Sequence, residues 1–136
     1  MFENKNIVIL GLARSGIASA KFLRKRNCNV TVNDKKEKED ESILNELESL
    51  GVKVILGSHP DDLINENVDY LIKNPGVPID HKYVLKAREL GIPVIIAVNM
   101  MDLVKKNGEE LDVEKLGKDT GCKVVEISAL KGEGID

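Results

Sequence analysis

The chain has 136 residues, 42% of them hydrophobic and 32% charged, a size and balance that fit one α/β domain and exclude a disordered chain. Lys and Arg number 20 against 23 Asp and Glu, so the formal net charge is −3 and no basic surplus exists to neutralise a nucleic-acid backbone. The longest apolar stretch, from Ile92 to Val98, is too short to span a bilayer, and the opening residues lack the hydrophobic segment of a secretory signal. These features predict a cytoplasmic protein with neither nucleic acid nor membrane as a partner.

In chain order, apolar runs over residues 7–10, 30–33, 53–56, 68–72, 94–98 and 123–127 predict six strands. Between the first two, Ile17, Ala20 and Leu23 share one helix face. Ile43, Leu47 and Leu50 do the same in a second helix, which Gly51 closes. Asp61 after Pro60 predicts a short helical turn, and Asp80 is the predicted cap of a helix running to Leu90 and Gly91. Later, residues 103–106 and a segment capped by Asp112 predict two short helical pieces. Strands alternating with helices predict a three-layer Rossmann-like α/β sandwich, a parallel six-stranded sheet in the order 3-2-1-4-5-6. No linker or repeat divides residues 1–136, so a single domain is expected. The final Gly132-Glu133-Gly134-Ile135-Asp136 opens toward a helix that does not follow. An uncovered sheet face there predicts a monomer with at most weak self-association.

Gly11-Leu12-Ala13-Arg14-Ser15-Gly16 follows the first strand and opens the first helix, where backbone N–H groups and the helix dipole favour an anion. Ala13 stands where a dinucleotide fingerprint has its second glycine, so close approach of a pyrophosphate is hindered. Asp34 ends the second strand, placed to accept from a ribose or a base, and its alternative reading is a solvated turn residue. Asn74-Pro75-Gly76 follows the fourth strand and faces the Gly11 loop across the point where strand order reverses. Taken together, residues 6–23, Val32-Asn33-Asp34 and residues 72–78 closely resemble the N-terminal domain of the Mur ligases of peptidoglycan synthesis, in the branch that adds D-glutamate to UDP-N-acetylmuramoyl-L-alanine. The resemblance covers about the first 95 residues. It implies that the domain holds the UDP part of a substrate, with Leu12, Ala13, Ser15, Asp34, Lys35 and Gly76 near it. The family usually follows the aspartate with Thr or Ser and then Arg, whereas Lys35 and Lys36 stand here. The family's ATP-binding and C-terminal domains have no counterpart in these residues.

From Ile92 onward the pattern changes. An apolar strand ends in Asn99-Met100-Met101-Asp102, and Ser128-Ala129 follows a later strand. The set resembles the guanine-reading end of the GTPase domain of bacterial ferrous iron transport protein B. The resemblance implies that Asp102 accepts from guanine N1 and N2, that Asn99 and Ser128 frame the base, that Ala129 N–H donates to O6 and that Met100 stacks on the ring. The alternative reading is that Asn99 and Asp102 only end a strand and start a turn. No Gly-x-x-x-x-Gly-Lys-Ser/Thr phosphate loop occurs in the sequence. A base-reading half alone, worth about 0.3–0.5 kcal/mol per heavy atom, would bind in the millimolar range or weaker.

Two such halves meeting near Gly91-Ile92-Pro93-Val94 predict a chain recombined or engineered from two parents, residues 1–91 and 92–136. The expected function is then the fold itself, with no catalytic residue, metal site or cofactor and at most weak UDP or guanine-nucleotide binding. The alternatives are a UDP-binding ligase domain, a guanine-nucleotide-binding fragment and, least favoured, an enzyme. Outside these sets, His59 and His81 read as solvated loop and helix-start residues. Tyr70 and Tyr83 read as half-buried packing with wet hydroxyls, Arg14 and Lys73 as surface cations with phosphate contact at the crevice as the alternative, and Cys28 and Cys122 as buried reduced thiols.

Overall fold

The computed structural model describes residues 3–12, 14–74, 77–98 and 123–126. In chain order these form β1 (Asn6–Leu10), α1 (Arg14–Lys25), β2 (Asn29–Asp34), α2 (Glu41–Ser49), β3 (Lys53–Leu56), β4 (Tyr70–Lys73), α3 (Lys82–Glu89), β5 (Val94–Val98) and β6 (Lys123–Glu126). The strands build one six-stranded sheet in the order β3-β2-β1-β4-β5-β6, and every pairing is parallel. The fold class and strand order expected from the sequence are therefore the observed ones.

Strand alternation divides the core into two layers. Ile7 and Ile9 of β1, Val30 and Val32 of β2 and Ile72 of β4 pack on one side with Ala20, Phe22 and Leu23 of α1 and Leu47 of α2. Val8, Leu10, Leu71, Val94 and Ile96 point the other way, onto Tyr83, Val84 and Ala87 of α3. Central β1 is thus apolar at four consecutive positions because it is covered on both faces. Each fully buried Leu or Ile contributes about 1.5–3 kcal/mol by leaving water, which makes this sandwich the main source of stability.

Helix ends follow a shared rule. At the close of α2, Gly51 has φ +88° and Val52 N–H bonds back to Leu47 O at 2.9 Å. After α3, Ile92 N–H returns in the same way to Ala87 O at 2.7 Å. After α1 the left-handed position is held by Asn27, φ +61°, and Cys28 N–H reaches Leu23 O. Arg24 then ties two helix ends together, donating from Nε to Leu50 O at 2.7 Å and from a guanidinium N–H to Cys28 O at 2.6 Å.

Several expected details are corrected. β2 reaches from Asn29 to Asp34, and β4 begins at Tyr70 and includes Lys73, rather than covering 68–72. Val68 lies outside the strand, with its N–H on Asn65 O and its side chain buried against the α3 layer. Leu50 is the C-cap residue of α2, past its last helical residue Ser49, and is 39% exposed. The cap of α3 is His81, not Asp80: the His81 side chain accepts from Tyr83 N–H. Asp61 opens no helix; the segment between β3 and β4 is an irregular connection with a turn from Leu63 N–H to Pro60 O. That connection must pass β2 and β1 and run back to the start of β4. An extended path gives it about 3.3 Å per residue against 1.5 Å for a helix. Ile64 and Val68 are its apolar anchors on the sheet. Of the predicted late segments, residues 103–106 and the piece capped by Asp112 lie outside the described residues. So do the chain end that was expected to leave a sheet face uncovered, Cys122 and Ile127.

Candidate functional site

The strand order reverses between β1 and β4, so the loops leaving β1, β2 and β4 diverge around a crevice at the C-terminal edge of the sheet. Gly11 opens the first loop at φ +105°, a value that disfavours any side chain, and its N–H donates to Asn33 O at 2.7 Å. A Cβ on Gly11 would stand 2.8 Å from Asn74 Nδ2, so a side chain here would have to displace the Asn74 amide that lies against the β1 loop. A methyl on Gly16 would collide with the carbonyl oxygen of Gly11, which lets α1 start close against the loop.

Leu12 is the best-held residue of the loop. Its N–H donates to Asp34 Oδ2 at 2.7 Å, and its carbonyl accepts from Lys36 Nζ at 2.9 Å. Lys36 N–H donates to the other Asp34 oxygen at 3.0 Å, and Lys36 also pairs with Glu39. Its ammonium, with the Asp40 N–H, holds the Glu39 carboxyl below the usual carboxylate range. Asp40 in turn caps α2 by accepting from Ser42 N–H and hydroxyl, which lowers its own pKa. The charged run from Asp34 to Glu41 is therefore partly a clamp on Leu12. Each carboxylate oxygen of Asp34 keeps further acceptor capacity after these bonds.

Asn33, the neighbour of Asp34 on the other face of the sheet, is 0% exposed. Its amide nitrogen donates to Ile55 O at 3.0 Å and Ser58 O at 2.7 Å, and its oxygen meets His59 Nδ1. Because that oxygen only accepts, His59 Nδ1 carries a proton. The His59 ring stands edge-on to His81, with centroids 4.8 Å apart, and to Tyr83 at 5.3 Å. Lys82 Nζ donates to His59 O and to Asp61 Oδ1, and Tyr83 O–H donates to Pro60 O at 2.6 Å. Desolvation, then the positive charges of Lys82 and Lys35, lower the His59 pKa. Desolvation, then His59 and Lys82, lower that of His81. Burial, with Asp61 and Asp62 behind it, pushes the Tyr83 hydroxyl up to about 12.

Of the UDP-side set, Leu12 and Asp34 are thus brought together, and Lys35 is exposed beside them. Ser15 lies in the first turn of α1. Ala13 and Gly76 lie outside the described residues, as do all of the guanine-side set, Asn99, Met100, Asp102, Ser128 and Ala129. β5 and β6 end side by side, with Val98 paired to Glu126, so the chain leaves both strands at the same edge of the sheet.

Three readings of single residues are corrected. Lys73 is not a surface cation but 2% exposed, with Nζ donating to Val77 O at 2.8 Å. Tyr83 is buried and its hydroxyl is bonded to protein rather than wet. His59 and His81 form a joined cluster rather than two separate solvated rings. Asn33 was missed altogether. Its signal is positional: alternation along β2 sends Val30, Val32 and Asp34 one way and Asn33 the other, and a polar residue facing inward needs partners. Among the described residues no group of three His, Cys, Asp or Glu is placed to hold a metal, and no helix is long and apolar enough to cross a membrane.

Residues 5–96 match the family model described as Mur ligase MurD-like, N-terminal domain, and residues 78–136 match that of ferrous iron transport protein B. The chain is 49% identical over 98 residues to the UDP-N-acetylmuramoylalanine–D-glutamate ligase of Enterococcus hirae, covering 72% of this chain and 21% of that protein. The enzyme of the same name from Lactobacillus gasseri is 46% identical over 106 residues, 74% of this chain and 23% of its own length. The chain therefore spans about a fifth to a quarter of these relatives. Among solved structures, a short-chain dehydrogenase from Oenococcus oeni superposes with a TM-score of 0.51 at 20% identity, covering 88% of this chain and 73% of that one. A UDP-glucose-4-epimerase from Stenotrophomonas maltophila superposes at 0.53 and 12% identity, over 71% and 38%. At such identities the likeness is one of fold.

Proposed function

The chain belongs to the MurD-like N-terminal domain family of the Mur ligases, and from that premise we propose that it is a nucleotide-binding module that holds the UDP end of a UDP-N-acetylmuramoyl substrate and carries out no chemistry by itself. The observation that carries this reading is the clamp of Asp34 and Lys36 on the Leu12 peptide. It joins the β1 and β2 loops into one unit and leaves the carboxylate able to accept further from a base N–H or a ribose hydroxyl. The first turn of α1 contains no acidic side chain to offset the positive end of the helix dipole, which favours a diphosphate there. Leu12, Ala13, Ser15, Asp34, Lys35 and Gly76 are the residues assigned to this ligand. Ligation would belong to the remaining length of a relative such as the Enterococcus hirae enzyme.

The overlap of the two family matches on residues 78–96 favours a second reading. In it the chain is a recombined α/β fold whose nucleotide affinity is weak on the UDP side and weak on the guanine side, at Asn99, Met100, Asp102, Ser128 and Ala129. One titration separates the two: ¹⁵N-labelled protein followed by NMR with UDP and then GDP, with Mg²⁺, to millimolar concentration. Saturable shifts at Gly11, Leu12 and Asp34 with UDP are expected, and their loss in Gly76→Asp would tie them to the crevice. A dispersed spectrum that neither nucleotide changes would overturn the module and leave the recombined fold. Shifts with GDP alone, at Asn99, Asp102 and Ala129, would assign the affinity to the other half.

A further inference from the structure

Lys73, the last residue of β4, is among the largest fully buried side chains in the molecule. An ammonium removed from water is costly unless its donors are placed on acceptors. Its Nζ donates to Val77 O at 2.8 Å and reaches Asn74 O at 3.5 Å. Those two residues are already joined, since Val77 N–H donates to Asn74 O at 3.1 Å. One buried charge therefore holds both Asn74 and Val77, the two residues that this backbone bond joins in a turn. The same turn sets Asn74 Nδ2 against Gly11, whose N–H is anchored on Asn33 O. Alternation along β4 puts Lys73 on the side of Leu71, in the α3 layer, so it supports the turn from beneath and adds nothing to the opposite core layer.

We propose that Lys73 is a positioning residue whose buried ammonium fixes the Asn74–Val77 turn against the Gly11 loop and so sets the grip of the crevice on the diphosphate of a nucleoside diphosphate. The second clause rests on the function proposed above; the first does not. Replacement by an apolar residue of similar length removes the desolvation cost along with the tether. Global stability and local order of the turn are therefore expected to part company.

The test uses Lys73→Met and Lys73→Gln in the whole chain, with three measurements: thermal unfolding, amide hydrogen exchange at Val77 and Gly11 without ligand, and dissociation constants for UDP and uridine. In Lys73→Met the unfolding midpoint is expected to hold or rise while the Val77 amide exchanges about tenfold faster. UDP affinity falls about tenfold and uridine affinity changes less than about twofold, because only the diphosphate end is loosened. Lys73→Gln, which keeps a donor, falls between. Unchanged exchange at both amides in a folded variant overturns the positioning role, and equal losses for UDP and uridine overturn its assignment to the diphosphate. Should the Met variant fail to fold, the Gln variant bears the same comparison. Should the unaltered chain bind no UDP, the proposed function fails, and the exchange measurement alone still decides whether Lys73 fixes the turn.

Discussion

Asp34 and Asn33 are neighbours at the end of β2, yet each seeds a different network. Asp34 gathers formal charges: its carboxylate clamps the Leu12 N–H, and Lys36 closes the clamp from the carbonyl side. Asn33 gathers neutral groups on the opposite face of the sheet, two carbonyls and a histidine, which lead on to His81 and Tyr83 at the start of α3. The period of two along a strand is the whole cause of the split. The consequence is that the half-exposed charged side can serve a ligand, while the buried neutral side braces the loops behind it.

The comparison breaks most visibly at Asn33. Asn33→Ala leaves the Ile55 and Ser58 carbonyls and His59 without their buried partner and is expected to cost about 3 kcal/mol in chemical denaturation. A cost near zero would mean that water replaces the side chain and that the neutral network is no brace. Asp34→Ala removes a charge-assisted bond from a less buried place and is expected to cost about 2 kcal/mol, together with UDP binding. If binding survives, the charged side is structural only. Tyr83→Phe deletes one bond, to Pro60 O, at a cost of about 1 kcal/mol, read as a lower unfolding midpoint with the β3–β4 connection loosened.

The smallest effect is a dependence on pH between 7.5 and 5, supplied by the two histidines of the neutral side. His81 accepts through Nδ1 from Tyr83 N–H, and a protonated ring has no lone pair there to accept with. The folded pKa values of His59 and His81 lie below the ordinary 6.5, so the folded state disfavours the proton that the unfolded state takes up. The stability owed to the neutral rings is complete above pH 6.5 and is lost as pH falls below it. His81→Ser keeps a capping oxygen without the titration, so thermal midpoints measured from pH 7.5 to 5 should fall less in the variant than in the parent. Parallel curves would place the acid sensitivity elsewhere.

Much of this molecule is legible from its residues. The apolar runs at 7–10, 53–56 and 94–98 mark strands, and parallel topology leaves few orders to consider. The glycine loop, Asp34 and Asn-Pro-Gly are visible as motifs, and among their described residues Leu12 meets Asp34 and Gly11 lies against Asn74. The misses share a physical reason. His81 displaces Asp80 as the cap because an imidazole nitrogen accepts an N–H as an oxygen does, and propensity ranks only the commoner acceptors. The segment after Pro60 stays irregular because the distance it must cover outweighs its local helical signals.

Sequence by itself determines the class of fold, the crevice and the family, since these rest on local periodicity and short motifs. Only the tertiary structure decides that Lys73 is buried, that Asn33 joins His59 and that Asp34 is bonded to Leu12. The last two join residues brought together by the order of the strands, and the first follows from the α3 layer that covers that side of β4. Burial sets whether a polar group must find a partner, and the partner's place in the sequence leaves no local mark.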